Sequence, residues 1–164
     1  MIIIRYAMET DLENILSIYN DIIVNTTAVY DYEPHSIEMR RNWYQAKQKD
    51  GYPVFVATEN DKIVGFSSIG PFRPWAAYKH TVENSIYVAA EKRGRGIGKL
   101  LLPPLIKASI QMNMHTIIAA IDATNLASIQ LHRSFGFEEV AHFKEVGYKF
   151  NCWLDVKFLQ LLLS

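Results

Sequence analysis

From Glu83 to Lys99 the chain reads Glu-Asn-Ser-Ile-Tyr-Val-Ala-Ala-Glu-Lys-Arg-Gly-Arg-Gly-Ile-Gly-Lys. Three glycines and two arginines fall within the six residues Arg93 to Gly98. A glycine-rich turn lets the backbone bend sharply and approach a ligand closely. Where it opens a helix, the first amide N–H groups lack carbonyl partners. Their partial positive charge then makes a site for an anion, most often phosphate. Each amide–phosphate hydrogen bond is charge-assisted, contributing roughly 1.5–3 kcal/mol. Two common phosphate loops do not fit. A triphosphate-binding loop places four residues between its first glycine and the Gly-Lys pair, then Ser or Thr. Here three residues separate Gly94 from Gly98, and Leu100 follows Lys99. The dinucleotide fingerprint is G-x-G-x-x-G, whereas this turn is G-x-G-x-G.

The chain around this turn has 164 residues, 49% hydrophobic and 21% charged, which predicts a single domain over 1–164 with a substantial core. Formal net charge is zero, arguing against nucleic acid or an anionic membrane as the main partner. Cys152 is the only cysteine, which excludes an internal disulfide and a cysteine-based metal cluster and fits a reducing cytoplasm. No metal is expected. No apolar run approaches the roughly 18 residues that span a bilayer, and Met1 to Arg5 is too short for a signal peptide.

Elements that would position the turn follow from pattern. Strands are expected at Ile2–Tyr6, Val54–Thr58, Ile63–Ile69, His80–Val88, Thr116–Ile121, Glu139–Val146 and Tyr148–Phe158, the last two turning at Gly147. The apolar tail Phe158 to Leu163 is expected to pack down. Thr10-Asp11-Leu12-Glu13 reads as a capping box opening a helix whose face is Leu12, Ile15, Leu16, Tyr19, Ile22 and Ile23. A second helix starts at Pro34-His35-Ser36 and stops at Gly51-Tyr52-Pro53. A third runs from about Ile97 to Met114, with Pro103-Pro104 expected to kink it. A fourth opens at Asn125 to Ser128 and ends at Gly136. Seven strands and four helices in this order predict an α/β (α+β) layered fold, a mixed sheet with helices on both faces. The Gly-rich turn leaves the carboxyl end of a strand, where a ligand crevice is expected.

The motif R-x-x-G-x-G at Arg93 to Gly98 resembles the pyrophosphate loop of the GCN5-related N-acetyltransferases (GNAT), which bind acetyl-coenzyme A. The segments Asn125-Leu126-Ala127-Ser128-Ile129 and Leu131-His132-Arg133-Ser134-Phe135-Gly136-Phe137 are similar to the superfamily's second cofactor motif. Within it, the chain most resembles the phosphinothricin and methionine sulfoximine N-acetyltransferases. The stretches that carry this are Arg73-Pro74-Trp75, Tyr78 to Val88, Leu131-His132, Val146 to Phe150 and Trp153-Leu154-Asp155. The resemblance implies a mostly antiparallel sheet, acetyl-CoA as cosubstrate, a small amino-acid-like amine as acceptor, and a homodimer.

Such chemistry needs a base, because a protonated α-amine is not a nucleophile. Glu83 is the candidate: it sits beside apolar Val82, and burial would raise its pKa toward the working range. A structural carboxylate is the alternative. Tyrosine often stands four residues before the Gly-Phe pair in the superfamily; here His132 does, and an imidazole can protonate a leaving thiolate near neutral pH. The resemblance puts the pyrophosphate on the amides of Gly94, Arg95, Gly96, Ile97, Gly98 and Lys99, with Arg93 and Lys99 adding charge. It puts pantetheine along the edge of Ile86, Tyr87 and Val88, and gives Asn125 and Ser134 cofactor contacts. Asn125 read alone is a helix cap. An acceptor carboxylate suits Arg73, with Pro74, Trp75, Glu83, Asn84 and Ser85 around it. Tyr30 and Tyr32 are expected to wall the pocket.

Overall fold

The computed structural model of the protein describes residues 1–163. Its strands are β1 (Ile2–Tyr6), β2 (Val54–Glu59), β3 (Lys62–Pro71), β4 (Thr81–Val88), β5 (Thr116–Asp122), β6 (Glu138–Lys149) and β7 (Cys152–Leu162). The helices are α1 (Leu12–Asn25), α2 (Ile37–Asp50), α3 (Ile97–Gln111) and α4 (Leu126–Ser134). One sheet runs β1-β2-β3-β4-β5-β7-β6, and every neighbouring pair is antiparallel except β4 with β5. The expected mixed α/β architecture is therefore the observed one. Among the described residues no helix is long and apolar enough to cross a membrane.

The central strands are apolar on both faces because helices cover both. Along β2, Val54 and Val56 join the cluster under α1, while Phe55 and Ala57 join the larger cluster under α3. That alternation follows from the two-residue period of a strand. On α1, Leu12, Ile15, Ile18, Ile22 and Ile23 are buried, a single helical stripe. On α3, Ile97, Leu101, Leu102, Leu105 and Ala108 do the same from the opposite face.

Four local expectations are corrected. The Thr10–Glu13 capping box does not form. Instead the Asp11 carboxylate accepts from the Met8 amide at 2.7 Å and from Arg5 at 2.7 and 3.0 Å. A bidentate charged pair offers Asp11 more than a hydroxyl cap would. The last hairpin turns not at Gly147 but at Phe150–Asn151, both left-handed (φ +52° and +58°), and Gly147 lies within β6. Phe158 to Leu162 is not a tail but the end of β7, paired with β5. Finally, α3 runs through Pro103 and Pro104 and ends at Gln111, short of the expected Met114. The carbonyls that the prolines cannot serve belong to Lys99 and Leu100. Both residues are exposed, so solvent can serve those carbonyls.

The loop between α1 and α2 is strapped to the far side of the sheet. Lys149 donates to the carbonyls of Ile23 at 2.5 Å and Val29 at 2.8 Å. Tyr32 donates to the Tyr148 carbonyl, and Tyr30 donates to Asp122 Oδ2 at 2.7 Å and to the Asp155 carbonyl at 3.1 Å. The Tyr30 ring lies flat against Gly147, where a Cβ would stand 2.6 Å from a ring carbon. With its hydroxyl held at the other end, this ring cannot step aside cheaply. Gly147→Ala is expected to destabilise the fold by about 1–3 kcal/mol, lowering Tm by several degrees in a thermal melt followed by circular dichroism. In a Tyr30→Ala background the same substitution is expected to be nearly neutral.

Candidate active site

The parallel pair β4–β5 stays in register only over Thr81↔Thr116, Val82↔Ile117 and Glu83↔Ile118. Beyond Glu83 the strands part. β4 remains paired with β3 on its other edge as far as Val88, and β5 with β7 as far as Asp122. A wedge-shaped gap of about 310 Å³ opens between them, its walls including Glu83, Asn84, Ile86, Ala120, Asp122 and Tyr30.

Hydrogen-bond phase decides which groups face this gap. The Ala89 amide donates to Val64 at 2.9 Å and the Phe72 amide to Thr81 at 3.4 Å, so the odd residues of β4 turn their main chain toward β3. The Thr116 amide donates to His80 at 3.4 Å, which turns the even residues the other way. Asn84 and Ile86 thus present amide and carbonyl groups to the gap with no strand opposite, and Val88 beyond them presents its amide on the same edge. Tyr87 does not, contrary to expectation: its main chain pairs with Phe66.

At the end of this edge lies the glycine-rich turn. Gly94 and Gly96 adopt φ of +73° and +78°, the left-handed region that favours glycine, and Gly96 stands immediately before α3. At the start of α3 the amides of Ile97 and Gly98 have no intrahelical acceptor, whereas the Lys99 amide, contrary to expectation, donates to the Gly96 carbonyl at 3.1 Å. A groove of about 430 Å³ runs between this turn and α4, lined by Arg93, Gly94, Gly98, Lys99, Gln130 and Ser134 among others. Ile86, Asn125 and Ser128 line both this groove and the central gap, so the two are continuous. Arg93 donates to the Val88 carbonyl at 3.2 Å. Arg95, in contrast, pairs with Glu59 at 2.7 Å, as Lys92 does at 2.6 Å. These two cations hold the Glu59 carboxylate down to about 2 and brace the turn. Asn125 caps α4, accepting from the Ser128 amide at 3.2 Å.

Strand alternation separates the remaining candidates. Glu83, Ser85 and Tyr87 point toward α1 and α2; Asn84, Ile86 and Val88 point toward α3 and α4. Glu83 is half-buried. Burial pushes its pKa up, while the charges of Arg73 and then Lys47 pull it back. Arg73 rests on the Phe72 ring at 4.3 Å from its centroid. Neither Pro74 nor Trp75 lines the central gap, and Trp75 is 67% exposed. Lys47 was not foreseen. It donates to the Ile69 carbonyl at 2.6 Å, and burial, helped by the nearby Arg40 charge, brings its pKa down to about 8. Among the described residues no cluster of three or more acidic, His or Cys side chains is arranged to hold a metal.

His132 is only 3% exposed, and both ring nitrogens are engaged. Nδ1–H donates to the Ser128 carbonyl at 2.7 Å, so Nε2 accepts from the Asn84 amide at 2.9 Å. The ring's one proton is thus committed to a carbonyl, and burial holds the imidazole neutral by pushing its pKa down. A role as proton donor to a leaving group does not match this geometry. No described residue pairs with Asn84 Oδ1, a buried acceptor whose residue is 7% exposed and lines the gap. Asp122, which holds Tyr30 and also accepts from the Thr124 amide at 2.8 Å, was likewise absent from the expected set. No local pattern around it signals that role.

A half-buried carboxylate, an unpaired strand edge and a glycine-bent helix start thus lie along one continuous trough. Similarity to known proteins makes the class specific. The acetyltransferase (GNAT) domain family matches residues 4–157. The L-methionine sulfoximine/L-methionine sulfone acetyltransferase of Pseudomonas paraeruginosa is 42% identical over 162 residues, covering 98% of this chain and 94% of the relative. The phosphinothricin N-acetyltransferase of Streptomyces coelicolor is 38% identical over 160 residues, covering 96% of this chain and 94% of the relative. Two solved structures superpose closely. One is yncA of Salmonella typhimurium, solved with its cofactor acetyl-CoA, with TM-score 0.98 and 39% identity over 99% of this chain and 94% of that one. The other is the ribosomal-protein-alanine N-acetyltransferase of Brucella melitensis, with TM-score 0.95 and 46% identity over 98% of this chain and 99% of that one. The chain belongs to the GNAT family and is an N-acetyltransferase.

The neutral, engaged state of His132 has a pH signature. Its folded pKa lies below the ordinary value of 6.5, so the unfolded chain binds a proton that the fold resists. The associated stability is present above pH 6.5 and is lost as pH falls through the folded value. His132→Gln is expected to flatten this part of the stability–pH curve, measured by urea unfolding across that range. An imidazole NMR titration placing His132 above 6.5 would contradict the geometry.

Proposed function

We propose that the chain transfers the acetyl group of acetyl-CoA to the α-amine of a small amino acid such as methionine sulfoximine, methionine sulfone, phosphinothricin or a close analogue. The observation that carries this is the unbroken line from Glu83, along the free edge of β4, to the left-handed glycines before α3. The residues fit the cosubstrate. The amides of the turn and the α3 start from Gly94 to Gly98, with the Arg93 and Lys99 side chains, suit a diphosphate. The open amide and carbonyl of Ile86 and the amide of Val88 suit the pantetheine amides, and Asn84 Oδ1 is an acceptor in need of an N–H. Asn125 and Ser134 border the same groove. When bound, acetyl-CoA supplies an activated acetyl thioester. Relatives named for sulfoximine, sulfone and phosphinothricin acetylation support the acceptor class.

In this reading Glu83 takes a proton from the acceptor ammonium, directly or through a water, and leaves a nucleophilic amine. Arg73 pairs with the α-carboxylate and holds the amine beside Glu83. Ser85, two residues along the same strand face, contacts the acceptor, and Tyr30 closes the far wall. Asn84 faces the donor side, and His132 positions it. Arg95 acts on the turn's shape through Glu59. The exposed apolar side chains of the β6–β7 hairpin, Val140, Phe143, Val146, Tyr148, Phe150 and Trp153, suit a homodimer contact, to be measured by light scattering. The partner otherwise is a small amine in the cytoplasm, with no nucleic acid or membrane.

Glu83→Gln is expected to lower kcat at least tenfold, within the range for a lost general base, while calorimetry finds acetyl-CoA affinity changed less than about threefold. Full activity would rule out Glu83 as base. In the parent enzyme, kcat/KM is expected to fall with acid through a pKa above the ordinary 4.5 of a glutamate, since burial raises it. An acceptor panel read by thiol release includes alanyl peptides, because of the Brucella relative's name. Turnover confined to peptides would overturn the amino-acid reading.

A further inference from the structure

On the acceptor side of β4, a second cavity of about 220 Å³ lies between the sheet and the helices α1 and α2. Ser85 and Tyr87 line both it and the central gap, so it is a side chamber of the same site. Its floor is Phe66, Ser68, Ser85 and Tyr87; Tyr19, Arg40 and Trp43 help to form its roof. Ser68 and Ser85 face each other across the β3–β4 pair.

The unusual occupant is Arg40. It is 4% exposed, yet no carboxylate pairs with it among the described residues, and its one side-chain hydrogen-bonding neighbour there is Tyr19. Its Nε is fully buried and unpaired. The guanidinium lies between two rings, 4.2 Å from the centroid of Tyr19 and 4.5 Å from that of Trp43. Cation–π contact compensates part of the lost hydration but satisfies none of the in-plane N–H donors. A buried polar group without a partner is costly enough that native folds rarely keep one without reason. Burial also pulls the Arg40 pKa down, which agrees with a missing counter-charge.

The missing partner is an oxygen acceptor, and the neighbouring chemistry says which one. The α-amine of an acceptor must lie at Glu83, so its α-carboxylate lies close by. The cations that act on Glu83 are Arg73 and Lys47, not Arg40. The chamber beyond Ser85 is therefore left for the far end of the acceptor side chain.

We infer that the Arg40 chamber is the specificity pocket for the acceptor's side chain, taking a polar oxo group such as a sulfone, sulfoximine or phosphinate oxygen on the Arg40 guanidinium between Tyr19 and Trp43. This rests on the amino-acid acetylation proposed above and adds to it the residue that reads the side chain. A thioether or plain alkyl chain fills the same space but leaves the guanidinium unsatisfied, so the pocket rejects it.

The test compares methionine sulfone with norleucine, a side chain of similar length without oxygens. In the parent enzyme kcat/KM for the sulfone is expected to exceed that for norleucine at least tenfold. Arg40→Gln is expected to lower kcat/KM for the sulfone at least thirtyfold, mainly through KM, with norleucine changed less than threefold. Arg40→Lys keeps the charge without the planar fork and is expected to recover only part of the loss. Acetyl-CoA binding by calorimetry checks that the variants fold. Equal loss for both acceptors in a folded variant would make Arg40 merely structural and overturn the inference. A parent ratio near one overturns it without any variant, while leaving amino-acid acetylation standing. No turnover with any amino acid overturns both.

Discussion

The separation of β4 from β5 after Glu83 is the constraint on which the structure depends. Two parallel strands that stayed in register would satisfy each other's main chain and leave no site. Here each strand is fixed on its outer edge, β4 by β3 and β5 by β7. The gap therefore cannot close by sliding either strand inward without breaking an antiparallel ladder. What remains is a row of buried main-chain groups that must find partners outside the sheet. A strand edge is normally a liability; recessed in a wedge, it accepts an extended small ligand and excludes another chain.

The surrounding contacts make sense as means of holding that wedge. Tyr30 reaches from the α1–α2 loop to Asp122 at the end of β5, and Gly147 lets its ring lie against β6. His132 on α4 grips Asn84 on β4, spanning the gap on its other face. Because the imidazole is buried and neutral, this grip is a hydrogen bond between uncharged groups and is insensitive to salt. The turn beyond Val88 is set in the same manner, with Glu59 on β2 collecting Lys92 and Arg95. Two of the cations near the glycine-rich turn are thus engaged in holding its shape, while Arg93 and Lys99 line the groove beside it.

How much of this was legible in the chain depended on how local the cause was. Strand and helix order followed from periodicity, and the glycine-rich turn announced an anion site because its reason, left-handed backbone before a helix, lies within six residues. The hairpin turn at Phe150–Asn151 was missed because neither residue signals positive φ as glycine does, and Gly147 offered a false signal. Its true reason for being small is the Tyr30 ring, more than a hundred residues away in sequence. The role expected of His132 came from its position in a motif. Only the Ser128 carbonyl one turn earlier and Asn84 on another strand show where its nitrogens go. Tyr87 shows a third kind of limit: nothing in its sequence neighbourhood fixes which edge of β4 its main chain faces.

The two faces of β4 look onto different cavities. Side chains at even positions look toward α3 and α4, where the groove leads to the anion-binding turn; those at odd positions look toward α1 and α2, where Glu83 and the Arg40 chamber lie. A donor lying along the even-facing main chain and an acceptor held by odd-facing side chains approach the strand from opposite sides. They can meet only where β5 no longer fills the space beside β4, which is at Glu83, the last residue before the strands part. The carboxylate therefore sits at the one position from which it reaches a group on the acceptor side while the donor's acyl end occupies the gap. Moving it two residues earlier along the strand would bury it behind the β4–β5 ladder. Moving it two residues later, to Ser85, would place it at the mouth of the side chamber, facing the acceptor's side chain in place of its amine. The register at which a parallel pair fails thus fixes where Glu83 meets the gap, and the period of a strand fixes which face its side chain takes.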